Sequence, residues 1–204
     1  MASIPSRAQL DEIVCEAISL ALAVELSQVA PDKYLVDDLD AESIDFLDIT
    51  FRIEQRLPVV IPRDDLIEQA DEAFGEGIAI DTNRELTPFG AYLVQQRLAG
   101  IDPNSVKPGM KADRIAALWT VQSWVELSER LLSTIPETCT CGGERTFRAD
   151  DSDALEAVCG TCGTTLSGVP GDELNRRWFD SIKDDSDVAA LIAASRPSDA
   201  DPAR

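Results

Sequence analysis

Apolar side chains recur at three- and four-residue intervals over much of the chain, which predicts a mainly helical protein. The first such stretch covers residues 8–24, and its apolar positions share one helix face. Those positions are Leu10, Ile13, Val14, Ala17, Ile18 and Ala21. A second helix is predicted from Ser43 to Pro58, and a last long helix over residues 118–132. The predicted buried side of the second helix consists of Ile44, Leu47, Phe51, Ile53 and Leu57.

The stretches between these helices contain more helix-breaking residues. Residues 29–40 are predicted to form a loop, in which Leu35 and Leu39 anchor the chain to the core. Residues 63–118 are interrupted by Gly and Pro, but one helix is predicted after Thr87, a favourable N-cap followed by a proline at the first helical position. After residue 170 one short helix and a disordered end, RPSDADPAR, are predicted.

Charge narrows the possible functions. The chain carries 18 basic and 38 acidic residues, a formal net charge of −20. Such a surface repels nucleic acid and anionic lipid, so it favours protein partners with basic patches. The chain has no histidine, which removes the commonest general base and metal ligand. The apolar stretch of residues 17–24 is too short to span a bilayer and lacks the features of a signal peptide, so we expect a cytoplasmic protein without membrane insertion.

Ser43 stands where an acidic segment, residues 37–42, meets the predicted second helix. One interpretation is an N-cap, because a serine hydroxyl can satisfy an orphan backbone N–H there. The other is an attachment point, because a phosphodiester on this hydroxyl would lie near the positive end of the helix dipole. Spacing alone does not choose between them.

The hexapeptide of residues 39–44, Leu-Asp-Ala-Glu-Ser-Ile, resembles the attachment signature of the acyl carrier protein family. The resemblance covers residues 6–62 and 111–132 and includes Leu35, Ile53, Val60-Ile61-Pro62 and Thr120-Val121-Gln122. The chain departs from the common signature at Asp40, where the family has glycine, at Glu42, where it has aspartate, and at Ile44, where it has leucine.

This resemblance implies an acyl-carrier-like four-helix bundle with a long insertion before the last helix. It implies a carrier and not an enzyme, in which Ser43 bears 4′-phosphopantetheine and holds acyl intermediates for fatty-acid, polyketide or specialised lipid synthesis. Partners would be a phosphopantetheinyl transferase and enzymes of acyl-chain synthesis or transfer. The alternative is an unmodified adaptor that only binds proteins.

We expect partner enzymes to dock beside Ser43, where acidic side chains are in excess. The predicted docking residues are Asp38, Glu42, Asp45, Asp48 and Glu54. Arg52 and Arg56 reduce the acidity of this helix, so the alternative is a partly apolar docking surface through Phe46 or Ile49.

Four cysteines form a second signal: Cys139, Cys141, Cys159 and Cys162. Two close pairs separated by a loop are typical of a closed tetrahedral zinc site, which would be structural. The glycine after each pair, Gly142 or Gly163, allows the backbone to fold around sulfur. Two disulfides, free thiols and an iron–sulfur cluster are the alternatives. Zinc ribbons often bind nucleic acid, but acidic residues outnumber basic ones in this segment.

Together these observations predict a mainly helical protein with a small β zinc ribbon and a short C-terminal tail. The predicted domains are a helical one over residues 1–135 with an insertion at about 63–118, the ribbon over 136–170, and the tail over 171–204.

Overall fold

The computed structural model describes residues 4–98, 100–151 and 153–196. These residues are mainly helical, with one small antiparallel sheet, which confirms the predicted fold class. The helices are α1 (Arg7–Leu22), α2 (Leu35–Leu39), α3 (Ser43–Arg56), α4 (Leu66–Phe74), α5 (Pro88–Arg97), α6 (Val121–Leu132), α7 (Gly171–Ile182) and α8 (Ser186–Ser195). The strands are β1 (Arg145–Ala149) and β2 (Leu155–Cys159). No described helix is long and apolar enough to cross a membrane.

The backbone forms two compact units, and each unit combines two stretches of the chain. The first unit contains Met1–Arg63 and Ala116–Glu173, and the second contains Asp64–Ile115 and Leu174–Arg204. The domain boundaries expected from the sequence, at residues 135 and 170, both fall inside the first unit. The division into a helical domain, a ribbon and a tail remains a prediction. The predicted disordered end, apart from Arg196, lies outside the described residues.

Helix α1 is the centre of the first unit, where it packs against both α3 and α6. Its buried face consists of Leu10, Ile13, Val14, Ala17 and Ile18, five of the six positions that the periodicity predicted. Ser6 caps the helix: its hydroxyl accepts a hydrogen bond from the Gln9 N–H, and the Gln9 side chain accepts one from the Ser6 N–H. Thr120 and Ser123 form the corresponding capping box of α6.

The buried face of α3 differs from the predicted one. Ile49 and Ile53 are fully buried, whereas Ile44, Leu47 and Phe51 are 65%, 59% and 56% exposed. The apolar residues of α3 form two sets: one contains Ile44, Leu47 and Phe51, and the other contains Ile49 and Ile53. The two sets lie about 200° apart around the helix, because positions two residues apart lie on nearly opposite sides. Periodicity therefore offers two faces, and packing in the unit buries the set that includes Ile49 and Ile53.

The predicted loop of residues 29–40 is not a simple loop, because it contains the short helix α2. A single turn of 3-10 helix, Leu26–Gln28, precedes this segment. Leu35 and Leu39 are buried, as expected for core anchors. The Leu35 N–H also donates to the Trp119 carbonyl at 2.9 Å, which attaches α2 to the segment before α6.

Asp40 ends α2 in the left-handed conformation, with φ 55° and ψ 31°. This is the position at which the resemblance has glycine, and aspartate tolerates such angles better than most residues. The departure from the common signature is therefore compatible with the same backbone turn.

The sheet is one hairpin, in which β1 and β2 pair antiparallel. Phe147 pairs with Ala157, and both side chains are buried. At the hairpin turn, the Asp153 carbonyl accepts a hydrogen bond from Arg56 at the end of α3, and the same guanidinium pairs with Glu16 of α1 at 3.1 Å. The hairpin is thereby attached to two helices of the first unit.

The chain after the hairpin returns to the helices and makes close contacts there. The Gly171 N–H donates to the Val60 carbonyl at 2.8 Å, and the Val169 N–H donates to the Thr134 hydroxyl at 2.8 Å. A Cβ at Gly171 would lie 2.2 Å from the Pro62 ring, so only glycine allows this approach. These contacts fix both ends of residues 134–171 on the helical part of the same unit.

The second unit has an aromatic core, in which Phe74 contacts Phe89 and Phe179 edge-on at ring distances of 5.0 and 5.6 Å. Thr87 caps α5 and Pro88 is its first residue, as predicted. The tail contains two helices where the sequence predicted one, since α8 follows α7 and packs against α5.

We predict that Asp40→Val lowers the free energy of unfolding by about 1–2 kcal/mol relative to Asp40→Gly, because a β-branched residue strains the left-handed conformation. Urea denaturation of the zinc-loaded variants measures the difference. Asp37→Val, at an exposed helical position of α2, is the control and should cost less than about 0.7 kcal/mol. Equal stability of the two Asp40 variants would contradict the assigned turn.

Candidate functional site

Ser43 is the first residue of α3, and its side chain is exposed. It is not the N-cap: that position belongs to Glu42, whose backbone is extended at φ −99° and ψ 168°. The Glu42 N–H donates to the Asp45 carboxylate at 2.7 Å, which completes the cap without the serine. The interpretation of Ser43 as a capping residue is therefore wrong, because the cap lies one residue earlier in the chain.

The start of α3 suits a phosphate group. A helix of 14 residues presents unpaired N–H groups and a partial positive charge at its first turn. A shallow cavity of about 760 Å³, largely open to solvent, also lies beside Ser43 in the same unit. It is lined by Val36, Ala41, Glu42, Ile44, Phe46 and Ala116 as well as the serine. Most of these side chains are apolar, so the cavity could receive an apolar chain attached to the serine.

Most of the predicted docking acids have local partners, and Glu54 lies near the opposite end of α3 from Ser43. Asp38 accepts a hydrogen bond from the Tyr34 N–H at 2.9 Å, and Asp48 pairs with Arg52 at 2.9 Å. Glu54 pairs with Arg63 at 2.5 Å and accepts a hydrogen bond from the Ile61 N–H, with only 16% of its side chain exposed. Their predicted role in docking remains a prediction.

The residues proposed for an apolar docking surface are not the exposed ones. Ile49 is fully buried, and Phe46 is half-buried with its ring 6.2 Å from that of Trp124. The exposed apolar residues of α3 are instead Ile44, Leu47 and Phe51, which we call the α3 apolar stripe. Sequence reasoning assigned this stripe to the core, although the second apolar set on α3 was the signal that could have located it.

The structure brings the four predicted cysteines together. Their sulfur atoms all lie within 4.8 Å of one another. The shortest separations are 3.4 Å between Cys141 and Cys159, 3.5 Å between Cys141 and Cys162, and 3.8 Å between Cys139 and Cys162. Sulfur atoms around a tetrahedral zinc are about 3.8 Å apart when the Zn–S bonds are about 2.3 Å. No disulfide links them, so the arrangement fits a metal site.

Backbone and hydroxyl groups surround the sulfur atoms. The N–H groups of Cys162 and Thr161 point at Cys159 Sγ and lower the pKa of that thiol. Thr164, whose hydroxyl lies 3.2 Å from Cys162 Sγ, is the main cause that lowers the pKa of Cys162, and together with the neighbouring thiols of Cys141 and Cys159 it brings this pKa to about 6. Hydrogen bonds of this kind favour the thiolate forms that a metal ion requires.

One sulfur resists losing its proton without a metal. The N–H of Gly143 lowers the pKa of Cys141, but the adjacent thiols of Cys159 and Cys162 raise it more, to about 12. Four thiolates this close repel one another, so a cation at their centre is needed to hold all of them deprotonated. Gly143 also fits the site sterically, since a Cβ there would lie 2.6 Å from Cys159 Sγ.

Glycines shape the two cysteine turns as the sequence indicated. Gly142 and Gly163 follow the second cysteine of each pair and have φ values of 84° and 74°. Their N–H groups donate to the carbonyls of Cys139 and Cys159, which closes each turn around the sulfur atoms. The fifth cysteine, Cys15, lies half-buried in α1 and is not part of this cluster.

Comparison with known proteins identifies the helical segment. Residues 12–71 match the family described as "Phosphopantetheine attachment site". The acyl carrier protein AcpXL of Rhizobium etli is 29% identical over 59 residues, which cover 29% of this chain and 64% of the relative. The meromycolate extension acyl carrier protein of Mycobacterium tuberculosis is 36% identical over 53 residues, which cover 26% of this chain and 46% of the relative.

These matches concern one part of the molecule. The chain spans less than two thirds of the length of these curated relatives, and no solved structure matches it. The matched segment nevertheless contains α2, Ser43 and the whole of α3. The segment around Ser43 is therefore similar to phosphopantetheine attachment sites and to acyl carrier proteins.

Proposed function

We propose that this protein is an acyl carrier in which Ser43 bears a 4′-phosphopantetheine arm. The observation that carries the proposal is the position of Ser43, exposed at the first residue of α3 inside the matched segment. Because Glu42 and Asp45 cap the helix, the serine hydroxyl has no role in the cap. Attachment of an arm to this hydroxyl would therefore break no hydrogen bond that caps α3.

The chain contributes position rather than catalysis. Ser43 supplies the hydroxyl oxygen that joins the arm, and a phosphopantetheinyl transferase must activate this weak nucleophile. The bound arm supplies a thiol on which acyl groups are held as thioesters. The first turn of α3 would stabilise the phosphodiester charge, and the apolar cavity beside Ser43 would shelter part of the arm or the acyl chain.

We propose fatty-acyl-type chains as the cargo, for use in fatty-acid, polyketide or specialised lipid synthesis. Support comes from the relatives, one of which is named for meromycolate extension. We further propose a cytoplasmic location, where thiols stay reduced. The adaptor alternative shares the fold but gives no reason for an exposed serine with no capping role at this position.

We propose that partner enzymes dock on α3 through both charge and apolar contact. Glu42 supplies an acidic group next to Ser43, Asp48 supplies another more than one helical turn further along α3, and the α3 apolar stripe supplies the apolar area. Three large apolar side chains exposed along one helix face are typical of an interaction surface. Transferases and acyl-chain enzymes with basic groups around an apolar groove would fit it.

We propose that the four cysteines hold one structural zinc ion. The support is the tetrahedral range of the sulfur separations, together with the N–H groups directed at Cys159. Four thiolates leave no open coordination position, so the metal would not take part in a reaction. Residues 136–170 are too few to bury a core of their own, so the metal would hold this segment together.

We predict that Ser43→Ala abolishes loading and leaves the fold intact. Incubation with coenzyme A and a broad-specificity transferase should add the phosphopantetheinyl mass to the wild-type Ser43 peptide and nothing to the variant. The free energy of unfolding should change by less than about 0.5 kcal/mol, because the hydroxyl does not cap the helix. Ser27→Ala, at another exposed serine, is the control and should load like wild type.

We predict that Cys159→Ser lowers zinc content well below one ion per chain. Inductively coupled plasma mass spectrometry measures the metal, and Cys15→Ser is the control that should retain it. Chelation should remove amide exchange protection from residues 136–170, while α1 and α6 stay protected. Unchanged metal content in the Cys159 variant would exclude the proposed site.

We predict that Leu47→Asp slows transferase loading at least 10-fold at every salt concentration, because it places a charge within an apolar contact. Asp48→Asn should slow loading only at low salt, since surface charges act mainly on the encounter rate. Leu20→Asp, at a 64% exposed position on α1, is the control and should load normally. Wild-type rates for both α3 variants at low salt would show that partners dock elsewhere.

A further inference from the structure

Apart from their cysteines, the two cysteine turns carry no ionisable side chain, although the protein is strongly acidic. Residues 138–143 and 157–171 contain no Asp, Glu, Lys or Arg, although 27% of the whole chain is charged. Because the four sulfur atoms lie within 4.8 Å of one another, the two turns adjoin. Their exposed members form what we call the knuckle face: Thr138, Thr140, Cys141, Gly142, Gly160, Thr161, Cys162, Gly163, Thr164, Thr165 and Ser167.

The metal site alone does not explain this composition. Thr164 contacts Cys162 Sγ, and an absence of carboxylates spares the thiolates further negative charge. A site shaped only to stabilise thiolates would, however, gain from lysine or arginine on the turns themselves. The basic residue opposite Cys159 in the sheet, Arg145, donates to the Ile135 carbonyl instead. Apart from its cysteines the knuckle face has no charged side chain of either sign, and the stretch without Asp, Glu, Lys or Arg continues past the last cysteine to Gly171.

Depletion of both charge signs is typical of the centre of a protein–protein interface. The exposed threonines and glycines offer hydroxyl and backbone hydrogen-bonding groups without the desolvation cost of charges. The contacts of Thr134, Val60 and Arg56 with the rest of this segment also hold it in one position on the first unit. A preorganised surface of this kind loses little conformational entropy on binding.

Charge selects the kind of partner. Exposed Glu137 and Glu144 border the knuckle face, and the Glu144 carbonyl accepts a hydrogen bond from the Gly160 N–H. A second copy of the chain would bring the same acidic border and another net charge of −20, so pairing of two copies across this face is repulsive. Nucleic acid is disfavoured for the same reason. A protein with basic groups around an uncharged, hydrogen-bonding centre is complementary.

We infer that the knuckle face is a second docking site, which binds a basic protein partner independently of the arm at Ser43. The inference rests on the zinc site of the proposed function and not on the modification of Ser43. It gives the appended cysteine segment a role in recruitment in addition to its stability.

Site-specific photo-crosslinking in the host tests the inference. A benzophenone amino acid at Thr165 should capture one protein partner, in wild type and in Ser43→Ala, while the same group at exposed Ala149, at the turn end of β1, should not. The captured protein is then identified, purified and titrated against zinc-loaded carrier variants. Thr165→Arg should weaken its Kd at least 10-fold and Ala149→Arg less than 2-fold, and higher salt should weaken wild-type binding.

Any of four results would overturn the inference. The first is that the benzophenone at residue 165 captures no more protein than the one at residue 149. The second is capture of a second copy of the chain, and the third is an unchanged Kd for the Thr165→Arg variant. Loss of capture in Ser43→Ala would also overturn it, since the site would then depend on the arm. Zinc content and loading of Ser43 are measured on every variant, so that a failure of this inference is separate from a failure of the zinc site or of the carrier function.

Discussion

The packing of α3 within the first unit is the constraint on which the proposed carrier site depends. Burial of Ile49 and Ile53 fixes the rotation of α3, and this rotation leaves Ile44, Leu47 and Phe51 in solvent. Each large apolar side chain that is fully buried contributes on the order of 1.5–3 kcal/mol, so the helix cannot easily rotate. The same rotation leaves Ser43 exposed at the first turn, next to the apolar stripe. The packing of one helix thus sets both the attachment point and the surface that partners would approach.

The cysteine segment depends on different interactions from those of the helical part. Its hairpin buries few side chains, with Phe147 and Ala157 as the central pair, so the proposed sulfur–metal bonds would take the place of much of a core. Its ends are nevertheless bound to the helices through Thr134, Gly171 and Val60. With the proposed metal bound, the first unit would combine a helical part stabilised by apolar packing with a hairpin stabilised by sulfur–metal bonds. This combination would hold the proposed knuckle-face docking site in one position on the proposed carrier.

The sequence predicted the features that depend on local chemistry. The face of α1, the cap at Thr87, the cysteine cluster and the glycines after each cysteine pair were all found where the residues indicated. It could not choose between the two apolar sets of α3, because that choice depends on packing with other helices. It also offered Ser43 as an N-cap, since serine is the better capping residue, whereas Glu42 and Asp45 together take that role. The association of residues 64–115 with the C-terminal helices depends on contacts between residues that are far apart in the sequence. No local sequence pattern indicates such contacts.

The central claim is that the exposed serine at the start of α3 carries an arm in the living cell. The most direct measurement is the intact mass of the protein purified from its own host, followed by mapping of any added mass to a peptide. We expect the mass to be increased by one phosphopantetheinyl group, with or without an acyl chain, and we expect this group to be attached to Ser43. A folded protein of unmodified mass at that serine, in cells where the other carriers are fully modified, would contradict it.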